Sequence, residues 1–248
     1  MKTDDRSFSY SFVYRLTLVA TLGGFLFGYD TAVVSGAVSA IREFFVIPLG
    51  ITGDRANSIM GFMVSSALLG CIAGGLTAGL VSLWLGRKKG LMLAALLFLV
   101  SGLGTAFPEK MGFSGMAPHI SFIIYRITGG IGIGLASMLS PMYIAEIAPA
   151  GIRGKLVSWN QFAIVTGIFV VYFVNWYIAS QGNEQWNMTT GWRYMFLSGV
   201  FPSVIFLVLL FFIPETPRYL VLKGETDKAL EVLRKTVGAD EAGIHLKE

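Results

Sequence analysis

Six apolar segments, each long enough to cross a bilayer, constrain this chain more than any other feature. A spanning helix needs about 20 consecutive apolar residues. Hydrocarbon offers no hydrogen-bond partners, so the backbone of such a segment must satisfy itself as a helix. The spans are expected at Leu16–Ala37, Ser58–Leu80, Gly90–Phe107, Ile120–Ala145, Lys155–Ser180 and Trp192–Ile213. Only 14% of the 248 residues are charged, against about 25% in soluble domains, and the deficit is concentrated in these segments. The expected fold class is an all-α integral membrane protein, and an ordinary globular enzyme is excluded. The first span does not read as a cleaved signal peptide. It is too long, and Asp30 interrupts it where a small-residue cleavage site belongs.

Basic residues orient the spans. With the N-terminus in the cytoplasm, fourteen Lys and Arg fall on the inner side, among them Lys2, Arg6, Arg15, Arg87, Lys88, Lys89, Arg153, Lys155 and Lys247. Four fall outside, namely Arg42, Arg55, Lys110 and Arg193, and Arg126 lies within a span. Both termini are therefore expected in the cytoplasm. This distribution, rather than the +4 net charge, decides the partner: a bilayer and no nucleic acid. Two domains are expected, a six-helix membrane domain over 1–213 and the start of a cytoplasmic helical linker over 214–248. In the second, Thr226 can cap a short helix whose apolar face includes Leu230, Leu233 and Val237.

Within the spans, Asp30 is the most informative residue, because a carboxylate in a membrane is costly and marks function by default. Arg126 is the one basic residue well inside another span, and both sit roughly 10 Å from the outer surface at 1.5 Å per residue. Paired, they form either a static ion pair that fixes helix register or a proton site. In the second case the guanidinium favours the ionised carboxyl, desolvation favours the neutral one, and a conformational change switches between them. Gln161 offers the donors and acceptor that sugar hydroxyls need, or else a helix–helix hydrogen bond. Phe27, one turn from Asp30, suits either a sugar face or lipid. The glycines at 24 and 28, 70 and 74, 75 and 79, and in the run 129, 130, 132 and 134 have the spacing of close helix contacts. No strand precedes Gly130-Ile-Gly-Ile-Gly134, so it is not a nucleotide fingerprint.

At the cytoplasmic edges, Arg87, Glu146, Arg153, Glu215 and Arg218 form a separate charged set. Arginine–carboxylate pairs there would hold the inner ends together in one state and part in another. Cys71 stands alone, which excludes a disulfide or a cysteine metal site. His119 and His245 are expected outside the spans. Neither a metal nor a cofactor is expected, and no residue is a candidate for catalysis.

Several stretches are shared with one family: Gly24-Phe-Leu-Phe-Gly-Tyr-Asp30, Tyr125-Arg-Ile-Thr-Gly-Gly130, Pro141-Met-Tyr-Ile-Ala-Glu146, Ile152-Arg-Gly-Lys-Leu156, Gly191-Trp-Arg193 and Pro214-Glu-Thr-Pro-Arg218. Together they resemble the sugar porter family of the major facilitator superfamily, in particular its bacterial xylose–proton symporters, and are similar to its glucose facilitators. The resemblance implies a twelve-helix protein of two six-helix halves, each built as 3+3 inverted repeats, of which this chain is the N-terminal half and lacks the C-terminal six helices. It implies proton-coupled symport of D-xylose or a related aldose by alternating access across a bacterial inner membrane. Asp30 is then the proton carrier, Arg126 its partner, and Gln161, Phe27 and Ile168 line the sugar site. Glucose facilitators are uncharged at the position of Asp30, so an uncoupled facilitator is the alternative, and a non-transporting sugar sensor a third. Two departures are visible. Leu83 and Trp84 replace an Asp and an Arg of the family's loop motif, and Ile168 stands where the xylose symporters have a second amide.

Overall fold

A computed structural model describes residues 10–112, 116–238 and 242–243. Six helices are long and apolar enough to span a membrane: α1 (Tyr10–Gly36), α2 (Gly53–Leu85), α3 (Arg87–Ala106), α4 (Pro118–Ile147), α5 (Arg153–Ala179) and α6 (Glu184–Phe211). Two short ones follow, α7 (Pro217–Leu222) and α8 (Thr226–Thr236). Most ends extend beyond the expected spans, because hydropathy marks only the apolar part of a helix that continues into the polar interface. The start of α2 at Gly53-Asp54-Arg55 is an example. His119 falls in the first turn of α4 rather than before it. Lys2, Arg6, His245 and Lys247 lie outside the described residues.

The centre of the bundle is α4, which packs against α1, α2 and α3, while α1 also packs along α5 and α3 along α6. Glycine makes the approach possible. A Cβ on Gly70 or Gly74 of α2 would overlap the carbonyl oxygen of Ile127 or Ile131 on α4. One on Gly130 or Gly134 would overlap that of Ala67 or Cys71 in return. A Cβ on Gly75 or Gly79 would meet open space, although the Gly75 main chain itself lies against Gly134.

Two apolar clusters fill the interior. The inner one includes Leu16, Leu139, Tyr143, Phe206 and Leu210. The outer one includes Tyr29, Phe45, Phe122, Trp192 and Phe196. By contrast α5 is the least covered span and exposes Phe162, Phe169, Phe173 and Trp176. After the last span, α8 begins at Thr226 itself, so Thr226 is its first residue and not its cap. Its buried face is Ala229, Val232, Leu233 and Thr236, with Leu230 and Val237 only half-buried.

Candidate functional site

The two charges expected inside the membrane meet. Arg126 Nη1 donates to Asp30 Oδ2 at 3.1 Å and approaches the Asp30 main-chain oxygen at 3.4 Å. The Arg126 side chain is 2% exposed and that of Asp30 15%. The guanidinium also lies over the Phe196 ring, 5.9 Å from its centroid, which joins it to the outer aromatic cluster. Part of its hydrogen-bonding capacity is unused, since Nε is buried without a partner.

The expected sugar contacts sit on a different surface. On α5, Asn160 is buried against α1, whereas its neighbour Gln161 is exposed. The helix thus turns one amide inward for packing and presents the other outward. Phe27 and Ile168 are both half-buried, Phe27 at the inner cluster and Ile168 at the outer one. The seam between their helices is tight. A Cβ on Gly28 would overlap the Ile164 carbonyl oxygen, and one on Gly167 that of Phe25.

At the end of the bundle expected to face the cytoplasm, the structure brings Arg87, Glu146 and Glu215 together. Arg87 donates through Nη2 (2.7 Å) and Nε (3.2 Å) to Glu146 Oε1, and through Nη1 to the Ser82 carbonyl at 3.3 Å. Glu215 accepts the main-chain N–H of Arg87 at 3.1 Å, of Lys88 at 3.1 Å and of Thr216 at 2.9 Å. It therefore caps the N-terminus of α3, where unpaired amides attract an anion. Burial nonetheless pushes the Glu215 carboxyl above the ordinary carboxylate range, against the pull of those amides and of Arg87. The α2–α3 turn is shaped for this contact. Gly86 adopts φ +88°, and a Cβ there would collide with Glu215 and Tyr219, so glycine is required twice over. Leu83 and Trp84 are exposed just before Gly86, in the last turn of α2.

Arg153 and Arg218 are not drawn into these pairs among the described residues. Arg153 donates Nε to the Ala148 carbonyl at 3.3 Å. Both arginines, with Glu146, line a cavity of about 520 Å³ between the inner end of α4 and helices α7 and α8.

Two features escaped sequence reasoning. Arg193 pairs with Glu109 through both guanidinium arms, donates to the Ala106 carbonyl at 2.8 Å, and lies over the rings of Trp192 (4.5 Å) and Phe44 (4.9 Å). This outer fastener joins α6 to the α3–α4 and α1–α2 connections. Burial raises the Glu109 carboxyl, but its bond to Arg193 and the nearby cations outweigh that and hold it below the usual range. The other feature is Ser101, buried beside Asp30. A lone serine in an apolar span carries no signal by itself.

Comparison with known proteins agrees with this geometry. The family described as "Sugar (and other) transporter" matches residues 16–248. The chain belongs to that family. It is 52% identical to the D-xylose-proton symporter of Escherichia coli over 92% of this chain and 48% of that protein. It is 42% identical to a glucose transport protein of Synechocystis over 92% of this chain and 47% of the other. The arabinose-proton symporter of Bacillus subtilis matches at 39% identity over 98% of this chain and 49% of its own length. Among solved structures, a partially occluded inward-open xylose transporter from E. coli superposes with a TM-score of 0.92 at 51% identity, covering 96% of this chain and 58% of the other. A proton:xylose symporter bound to 6-bromo-6-deoxy-D-glucose gives 0.91 at 51% identity, over 96% and 52% respectively. This is a major facilitator fold in an integral membrane protein, and its relatives are transporters rather than enzymes. The chain spans about half the length of the curated relatives it matches.

Proposed function

We infer that this chain is the N-terminal half of a proton-coupled monosaccharide symporter that moves D-xylose or a related aldose by alternating access. The Asp30–Arg126 pair carries the reading. It places a titratable carboxylate within the membrane, held by a single cation at 3.1 Å and partly open to solvent. Asp30 takes up the proton, and Arg126 favours its release. Gln161 hydrogen-bonds the sugar from the exposed face of α5, with Phe27 and Ile168 shaping the apolar side of the site. Arg87, Glu146 and Glu215 join the inner ends of the helices, and Arg153 and Arg218 are left facing the cavity where charges from the second half can reach them. Both termini face the cytoplasm, residues 214–248 begin the helical linker, and the membrane is the bacterial inner membrane.

A facilitator reading draws support from one observation: Ile168 gives the site an apolar wall, and a glucose transport protein is among the relatives. One experiment separates the two. Asp30→Asn keeps the side chain's shape but removes its titration. In the twelve-helix protein, concentrative uptake should vanish while sugar counterflow continues, because exchange moves no net proton. One proton per sugar supplies about 2.3 kcal/mol per 100 mV of membrane potential, so the loss amounts to roughly a fifty-fold gradient. Accumulation with unchanged pH dependence in the Asn variant would reduce Asp30 to a structural partner of Arg126 and leave the facilitator.

A further inference from the structure

An arginine can donate to either protonation state of Asp30 but can accept the proton of neither. Its guanidinium donates and never accepts, so it suits the ionised carboxylate and offers nothing to the O–H of the neutral acid. Each buried polar group needs a partner in low dielectric. A proton carrier therefore calls for an acceptor as well as a cation, and the structure holds one.

Ser101 on α3 is 1% exposed, and its Oγ is buried without a hydrogen-bond partner. It faces Asp30 across Gly129 of α4. The point where a Cβ on Gly129 would sit lies within 4 Å of both Ser101 Oγ and Asp30 Oδ2. Only the absence of that Cβ leaves the two oxygens open to each other. A small void of about 10 Å³ lies beside Asp30, lined also by Phe98, Gly102 and Ser203, close to the space one water needs. Ser203 is already committed, donating to the Gly199 carbonyl at 2.7 Å. Arg126 is the charged group that faces Asp30. The other helices around it carry Arg87, Lys88 and Lys89 at the start of α3, Arg153 and Lys155 at the start of α5, and on α6 Glu184 at its start and Arg193, which is paired with Glu109. On its own helix, Tyr29 is bonded to Ser198 at 2.7 Å.

We propose that Ser101 is the positioning residue of the neutral state, its hydroxyl oxygen accepting the proton-bearing O–H of Asp30, directly or through one water. Arg126 then favours the ionised state and Ser101 the neutral one. The proposal rests on the reading of Asp30 as proton carrier.

The test is the pH profile of concentrative sugar uptake by the twelve-helix protein in proteoliposomes, with counterflow measured alongside. Ser101→Ala removes the acceptor and so disfavours the protonated form. The midpoint should move to lower pH by about half to one unit, the equivalent of one neutral hydrogen bond, with counterflow retained. Ser101→Cys preserves volume but offers only a weak sulfur acceptor, and should shift the midpoint in the same direction. Ser203→Ala should leave it in place. If both Ser101 variants keep the wild-type midpoint while Asp30→Asn abolishes coupling, Ser101 has no such role and the symport reading stands. If Asp30→Asn itself keeps wild-type coupling, the symport reading fails and this one with it. Should the Ala variant fail to fold, the Cys variant decides. Loss of counterflow in both would make Ser101 a packing residue and overturn the proposal.

Discussion

Cutting the Arg87–Glu146 pair should cost far more than replacing it. The Arg87 side chain is 6% exposed and that of Glu146 10%, and two guanidinium nitrogens converge on one carboxylate oxygen at 2.7 and 3.2 Å. Glu146→Ala leaves the guanidinium with the Ser82 carbonyl, the Tyr219 ring, 5.8 Å away, and the electrostatic pull of Glu215. Breaking a buried pair costs about 3–5 kcal/mol. The cation–π contact retains about 0.5–2 of that, which places the loss at roughly 3 kcal/mol. Arg87→Met should cost a similar amount. It strips both donors from Glu146 Oε1, while Oε2 is already unpaired. The double variant Arg87→Met/Glu146→Leu removes both charges and their desolvation penalty together, and should lie within about 1 kcal/mol of wild type. Reversible unfolding of the twelve-helix protein in mixed micelles measures all four corners of the cycle. Single losses below about 1 kcal/mol would show a solvated, surface-like pair. A double variant as damaged as the two singles combined would show that packing, not charge, holds the site. Either result refutes the argument.

Other expectations follow from the same geometry. Gln161→Ala should weaken sugar binding by about 1–3 kcal/mol, the cost of an unpaired hydroxyl in a buried site, as read by calorimetry. Unchanged affinity with impaired folding would return Gln161 to a packing role. Gly70→Ala and Gly130→Ala should destabilise the α2–α4 contact strongly, whereas Gly79→Ala, facing open space, should be tolerated, as thermal unfolding in detergent would show. The two carboxylates outside the spans should answer acid in opposite senses. Glu109 is held low, so its contribution is present above the unfolded value and is lost as pH falls through the folded one. Glu215 is pushed up, so its ionisation weakens the fold as pH rises from the unfolded value through the folded one. Thermal midpoints of Glu109→Gln and Glu215→Gln across mild acid should lose these opposite slopes.

How much of this was legible in the sequence varies with the physics of each feature. The spans and the family were legible because hydropathy and ordered motifs are local. The Asp30–Arg126 contact could be anticipated because a membrane makes isolated charges so costly that depth alone suggests a partner. At the edge expected to face the cytoplasm, cost no longer discriminates among charges. The sequence named five residues there, and the structure joins Arg87, Glu146 and Glu215 while Arg153 and Arg218 face a cavity. Spacing likewise could not tell the packing glycines 70 and 74 from the open pair 75 and 79, since both recur every four residues and only the neighbouring helix distinguishes them. Ser101 and the Arg193–Glu109 fastener carry no periodicity at all. Their meaning comes from what the fold sets beside them.

The proposed proton and sugar sites lie on separate surfaces, and the way α1 meets α5 constrains how one could influence the other. Asp30 and Arg126 belong to the α1–α4 contact, whereas Gln161 stands on the exposed side of α5. Between them, Gly28 lies against the backbone of Ile164 and Gly167 against that of Phe25, so main chain touches main chain with no side chain to yield. At these two points the seam has no rotamers to reset and little room to slide, since close-packed interiors transmit displacement rather than absorb it, although Asn160 and Asn175 enter it elsewhere. If Asp30 carries the proton and Gln161 the sugar, as proposed, protonation should not reach the sugar face by loosening α1 from α5 at these glycines. It must act by changing the α1–α4 contact that Arg126 holds, with α1 and α5 moving as one piece and carrying Phe27, Gln161 and Ile168 together. On this argument the proton is felt at the sugar site as a displacement of the whole α1–α5 pair, not as a rearrangement of one side chain within it.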